Sequence, residues 1–242
     1  MGSKYTMTAH TYIIYHPTLG DVTIKLNPRA TRISGRWKLG KVVVTAPVGV
    51  SPQRLQQALE AIAHKLIARK TEFRYHDGQI ITCPDIAFSI TRQSFKPDNI
   101  IVNPALPETK IQLGTNIDIE AETTTAAISK VLTNVAYRFA NTLILPRAKE
   151  LARTLGAQPA AWRIGRGLRT LGTCSSKQII TLSSTLVFMP VELRDYIVCH
   201  ELAHLTEMNH SAAFHRLCNM YCNGREAELR AKLKNFPYPI LR

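Results

Sequence analysis

Residues 199–210 read CHELAHLTEMNH. His200, Glu201 and His204 form the pattern His-Glu-x-x-His inside it, and the way this segment folds decides what the rest of the chain must be built around. On a helix, His200 and His204 lie about 40° apart around the axis and about 6 Å apart along it, so both imidazoles reach one metal ion. Glu201 stands beside them, poorly placed to ligate but well placed to take a proton from water on such an ion. That division of labour belongs to a zinc hydrolase. A catalytic zinc ion takes three protein ligands and keeps a fourth position open, so a third ligand is required. In a continuous helix His210 would fall about 240° around from His204, on the wrong face. The segment is therefore expected to break at 208–210, with Asn209 turning left-handed and Ser211 capping the next helix.

The spacing H-E-x-x-H-x5-H equals that of the metzincins, with Glu207 in place of their glycine and no identifiable Met-turn. Glu226 and Glu228, some twenty residues downstream on a possible later helix, are the rival third ligands. Chance alone would give His-Glu-x-x-His in roughly one sequence in a hundred with this many histidines. Two features make chance a poor account here. Four of the 8 histidines fall between residues 200 and 215, and the motif sits in an apolar run, YIVCHELAHL, where an unpaired His or Glu is costly to bury. His215 reads as a residue on a helix flank in water, with hydrogen bonding to a tetrahedral intermediate as its functional alternative. Tyr196 and Tyr221 read as packing residues.

Upstream, TYIIYHP, DVTIKL, TRISGRW and KVVVTAPV are short alternating or β-branched runs separated by Gly and Pro, which predict an antiparallel sheet. SPQRLQQALEAIAHKLIARK predicts an amphipathic helix capped by Ser51, with Leu55, Leu59, Ile62 and Leu66 on one face. Asp77-Gly78 is a hairpin signal, and IAFSITRQSF and NIIVNP predict further strands. A helical zone over about residues 120 to 156 is expected in two pieces because Pro146 cannot donate inside a helix, with Gly156 as its stop. WRIGRGLRTLGTCSSKQIITLSS predicts a second β stretch, in which SKQIITLSS is expected to offer a free edge to an extended substrate. Pro190 then opens the helix that carries the motif. No internal repeat is visible.

The 242 residues, 45% hydrophobic and 20% charged, suffice for one large or two small globular domains. The longest apolar runs, TLILP and TLVFMPV, fall short of the roughly 20 residues that cross a bilayer. The N-terminal MGSKYTMTAHTYIIYHP has no charged start followed by a long apolar stretch, so neither a membrane span nor a signal peptide is expected. An odd count of 5 cysteines without CxxC spacing argues against a disulfide framework and for a reducing cytoplasm. The net charge of +14 favours anionic partners and predicts weak, non-specific nucleic-acid binding, with Arg163, Arg166 and Arg169 as the densest basic group.

The run LGTCSSKQIITLSSTLVFMPVELRDYIVCHELAHLTEMNHSAAF resembles the YgjP-like metallopeptidases, relatives of the SprT-like zincins. That resemblance implies zinc bound by His200, His204 and His210, with Glu201 as the catalytic base and a protein or peptide substrate. Leu171 stands where the family usually has Trp, Thr173 where it has Ser, and His215 where it has an aromatic residue. The reading as a whole is an α+β protein, a zincin-like metallopeptidase core at 116–242 preceded by a mostly antiparallel β-rich region with one helix at 1–115. Its alternative is a nucleic-acid-associated protein with a structural zinc site.

Overall fold

A computed structural model of the chain describes residues 11–38, 41–68 and 74–241. Residues 1–10, on which part of the N-terminal reading rests, lie outside the described residues, as do 69 and 70 at the end of the first predicted helix. The fold is mixed α+β, and it divides into two compact units, 1–74 with 121–123 and 75–120 with 124–242. Among the described residues no helix is long and apolar enough to cross a membrane.

In the first unit, strands β1 (Thr11–His16), β2 (Gly20–Leu26), β3 (Ser34–Lys38) and β4 (Lys41–Ala46) form one sheet in the order β1-β2-β4-β3. Helix α1 (Pro52–Ala68) lays Leu55, Leu59, Ala63 and Leu66 against Val22, Ile24, Val42 and Val44 of that sheet. Ser51 caps it by accepting from the Arg54 N–H at 3.3 Å. The sheet is mostly antiparallel, as expected, with one parallel pair at its centre. The two hairpins are antiparallel, but their inner strands pair in parallel, Val22 opposite Val42. The reason is legible in β4: Val42, Val43 and Val44 are all buried, and a strand covered on both faces suits a parallel centre with a continuous apolar run.

The second unit repeats this strand order. Strands β5 (Ile80–Thr82), β6 (Ala87–Gln93), β7 (Ile100–Asn103) and β8 (Glu108–Gly114) run β5-β6-β8-β7, again with a parallel central pair. Asp77-Gly78 does turn the chain, with Gly78 at φ +73°, but it leads into β5. The β5–β6 hairpin is closed instead by Cys83 donating its N–H to the Ile86 carbonyl at 3.0 Å.

Helix α2 (Glu122–Thr154) is one piece of 33 residues, not two. Pro146 lies on its exposed side, while Ile128, Leu132, Ala136, Ala140, Ile144, Ala148 and Ala152 make a buried stripe at four-residue spacing that runs straight past it. Packing along that stripe outweighs the roughly 3 kcal/mol that an interior proline costs a helix. Gly156, at φ +66°, ends the helix as expected, and the Ala157 N–H returns to the Ala152 carbonyl at 2.8 Å.

A third sheet follows, made of β9 (Ala161–Gly165), β10 (Gly172–Cys174) and β11 (Ile179–Ser183) in the order β10-β11-β9. β11 is the central strand, antiparallel to β10 and parallel to β9, so the expectation that this segment offers a free edge is wrong. Its alternating burial, with Ile180 and Leu182 fully buried, fits a covered centre; β10 and β9 are the edges. A short 3-10 turn (Ser184–Phe188) leads to α3 (Val191–Ala203), with Pro190 at its N-cap, and then to α4 (Ala212–Tyr221) and α5 (Glu226–Lys234). α3 packs against α4, α5, β10 and β11, and this is why nine of its residues are buried.

Candidate metal centre

α3 carries His200 and Glu201 and ends at Ala203, with His204 as its C-cap at φ −67° and ψ −14°. The break therefore comes about a turn earlier than expected from sequence. Among the described non-glycine residues only Gln178 and Asn223 have positive φ, so Asn209 does not supply a left-handed turn. The Leu205 and Thr206 N–H groups reach the Leu202 and Ala203 carbonyls at 3.1 and 3.2 Å, tightening the end of the helix. His204 Nδ1 then bonds the Glu207 carbonyl at 2.9 Å, tying ring and turn together. Ser211 restarts the helix by accepting from the Phe214 N–H at 3.2 Å, and His210 is held between the two caps.

The nitrogens of His200, His204 and His210 converge within 4.8 Å of one another. His200 Nε2 and His210 Nε2 are 3.1 Å apart, close to the ~3.3 Å that separates two nitrogens on one tetrahedral zinc ion. Because His204 Nδ1 faces a carbonyl it must carry the proton, which leaves the Nε2 lone pair for an ion. Fully buried Phe214 stacks on the His204 ring at 4.4 Å and meets His200 edge-on at 4.9 Å, forming an apolar floor. Burial, then the neighbouring His204 and His210, push the His200 pKa down to about 4. His210 is lowered too, by burial and then by His204. Both rings are thus neutral at pH 7, the state in which imidazole ligates a metal.

Glu201 is 5% exposed, and burial pushes its pKa up to about 7. The cause is visible in β10, whose backbone presses on the carboxylate. A Cβ at Gly172 would lie 2.5 Å from Glu201 Oε1 and 2.7 Å from its Cδ. Any larger residue there would have to displace the acid. Sequence reasoning passed over Gly172; a glycine inside a predicted β segment, the usual mark of close backbone approach, was its one signal.

Neither rival ligand joins the cluster. Glu226 Oε1 pairs with His215 Nδ1 at 2.7 Å, and Glu228 is engaged by Arg225 and Lys232 at 2.8 and 2.9 Å on the surface. Tyr196 is buried, its ring edge-on to His200 at 6.2 Å, and its pKa is pushed up to about 12 by burial. The Tyr221 carbonyl accepts from the Cys199 thiol at 3.5 Å. Of the three arginines, Arg166 lies over the Tyr137 ring at 3.7 Å and donates to Asn134 at 3.1 Å, while Arg163 and Arg169 are exposed.

A family model described as YgjP-like, metallopeptidase domain, matches residues 32–236. Two solved metallopeptidase zymogens resemble part of the chain. Abylysin of Pyrococcus abyssi is 27% identical, with 38% of this chain and 95% of that one covered at a TM-score of 0.34. Jannalysin of Methanocaldococcus jannaschii is 24% identical, with 38% and 93% covered at the same 0.34. Scores this low do not establish a shared fold. No curated protein matches.

The raised pKa of Glu201 makes a measurable prediction for the metal-free protein. A carboxyl near 7 when folded and near 4.5 when unfolded costs no stability below about pH 4.5, and its cost grows until pH passes about 7. Glu201→Gln is therefore expected to stabilise the chelator-treated protein at pH 8 by on the order of 1–3 kcal/mol and to make no difference at pH 4, as read by urea unfolding at both values.

Proposed function

The chain belongs to the YgjP-like metallopeptidase family, and we propose that it is a zinc-dependent peptidase with a zincin-like core within residues 116–242, following a β-rich region at 1–115. In this reading His200, His204 and His210 hold the ion and Glu201 is the catalytic base. One observation carries it: three histidine nitrogens converge within 4.8 Å, and among the described residues no fourth His, Cys, Asp or Glu joins them. A structural zinc site takes four protein ligands, so a set of three favours catalysis over the structural alternative.

The donor set fits zinc, which binds imidazole readily and supplies Lewis acidity toward water and a peptide carbonyl. The chain's own residues do the rest. Glu201, adjacent in sequence to the first histidine and held against β10, accepts a proton from the attacking water and returns it to the leaving nitrogen. Phe214 keeps one side of the histidines dry, and the Glu207 carbonyl fixes the tautomer of His204. The substrate is a protein or peptide. Five free cysteines fit a reducing cytoplasm as its location.

Two outcomes test the site. Zinc analysis of the purified protein is expected to give one ion per chain, with severe loss in His200→Ala, His204→Ala and His210→Ala and full retention in Glu228→Ala. Full retention in His210→Ala would remove it from the ligand set. Glu201→Gln is expected to keep zinc and to cut hydrolysis of casein or a quenched peptide mixture by at least about 100-fold, the scale of a lost general base. Turnover equal to wild type would sink the mechanism.

As a secondary interaction we propose weak, sequence-indifferent binding of nucleic acid, supported by the +14 charge and by exposed Arg163 on the edge strand β9 and exposed Arg169 after it. Affinity for a labelled single strand at about 50 mM salt should fall steeply as salt rises, and further in the Arg163, Arg166, Arg169 triple Gln variant. Absence of binding at low salt would leave the charge with no nucleic-acid role.

A further inference from the structure

Residues 1–74 hold 12 of the 31 Lys and Arg of the chain but only 3 of its 17 Asp and Glu, and so carry +9 of the net +14. In the second unit Arg147, Arg194, Arg225 and Lys232 are each neutralised by an ion pair. The first unit differs. Among its described residues the ion pairs are His16 with Glu60 and Arg74 with Glu122, which leaves exposed Lys25, Arg29, Arg32 and Arg36 without an acidic partner.

The pleat decides where these cations stand. α1 covers the sheet face that carries Val22, Ile24, Val42 and Val44. Side chains one residue out of step point to the other face. There the register puts Ile13, Thr23, Val43 and Arg36 in one row across the sheet. Lys25 stands in the row on one side of it, and Tyr15, opposite Asp21, in the row on the other. Val43 is buried at the centre, but Ile13 is 47% exposed and Tyr15 75%, and Lys25 and Arg36 are exposed as well. Arg29 and Arg32, in the connection from β2 to β3, add charge beyond the Lys25 end. Asp21 is the only acid on this face among the described residues.

A bare aromatic ring among unpaired cations selects the partner. An acidic peptide would use the cations and leave the ring idle, and so would a duplex, whose bases are stacked on one another. A single strand uses both: its phosphates meet Lys and Arg, and an unpaired base stacks on the tyrosine. Asp21 repels phosphate, not a base, and so directs the backbone toward Lys25 and Arg36. Four strands about 4.8 Å apart set Ile13 and Arg36 roughly 14 Å from each other, and four-stranded sheets that bind RNA stack about two or three bases on such a face.

We propose that the face of the first sheet turned away from α1 binds single-stranded nucleic acid, with Tyr15 stacking on a base and Lys25 and Arg36 holding phosphates. This surface is separate from the β9 arginines and owes nothing to the metal site.

The test is fluorescence anisotropy of the full chain with labelled oligo-U, oligo-dT and a duplex, each about ten nucleotides long, at about 50 mM salt. Binding of either single strand more tightly than the duplex supports the proposal, and the tighter of the two names RNA or DNA as the strand. Tyr15→Leu should weaken single-strand binding roughly 5- to 100-fold, the range for one lost base–ring stack, and leave duplex binding unchanged. Tyr15→Phe, which keeps the ring, should bind as wild type does. Lys25→Gln combined with Arg36→Gln should flatten the slope of log affinity against log salt by about 1.4, the change for two phosphates on a single strand. These side chains are exposed, so an unchanged urea midpoint is expected in every variant and separates lost binding from unfolding. Wild-type affinity in Tyr15→Leu overturns the proposal, as does an equal loss in Tyr15→Phe. So does binding of the duplex, of polyglutamate or of phosphatidylserine vesicles as tightly as the single strand. The Arg163, Arg166, Arg169 triple Gln variant, run alongside, separates the two surfaces: loss there with none in Tyr15→Leu removes the sheet face and leaves β9 standing.

Discussion

The site depends on the unwinding of α3 at His204. A helix that continued would bring two histidines together and send the third to the opposite face, and no side-chain rotation could recover it. By ending with His204 in the C-cap, the chain keeps the first two rings one helical turn apart and spends the next five residues returning His210 to them. The hydrogen bond from the His204 ring to the Glu207 carbonyl belongs to both events. It satisfies a backbone acceptor in the turn, and it sets the tautomer that leaves Nε2 free. Turn geometry and donor chemistry are one interaction here, so a change to either disturbs both.

Around that turn the protein holds polar groups in surroundings that disfavour their charged forms. Burial lowers His200 and raises Glu201, opposite directions with one cause. A cation placed among the three neutral rings would reverse the balance at Glu201, since a positive charge nearby favours the carboxylate. Gly172 belongs to the same arrangement, because the bare backbone of β10 is what closes over Glu201. Glu226 meets burial differently. It has His215 to pair with at 2.7 Å.

The two four-stranded sheets show how little residue identity a topology needs. β1-β2-β4-β3 and β5-β6-β8-β7 share their order and their parallel central pair, yet no repeat is visible between the two stretches of sequence. Both are specified by where apolar side chains alternate and where the chain turns, features that many sequences satisfy. Hairpin signals give the antiparallel pairs because those are local. The pairing of β2 with β4 and of β6 with β8 skips the strand between them, so the apolar run of β4 suits a covered centre without naming its partner.

The sequence by itself determined the short-range features. The strands near residues 11–46, the α1 face of Leu55, Leu59 and Leu66, the Ser51 and Ser211 caps, the Gly156 stop and the group of His200, Glu201 and His204 all follow from spacing or from one residue's conformational preference. Tertiary structure decided whatever depended on partners distant in the chain. Pro146 reads as a helix break, but the packed stripe from Ile128 to Ala152 carries the helix through it. Asn209 reads as the turn to His210, but the helix end had already moved to His204. β11 reads as a free edge until β9 and β10 cover both its sides. Glu226 is compatible in sequence with ligation, and only the approach of α5 to α4 gives it to His215. Gly172 acquires its meaning from a carboxylate 29 positions later. In each case the physical reason is the same: local preferences amount to a few kcal/mol at most, and burial against a distant surface outweighs them.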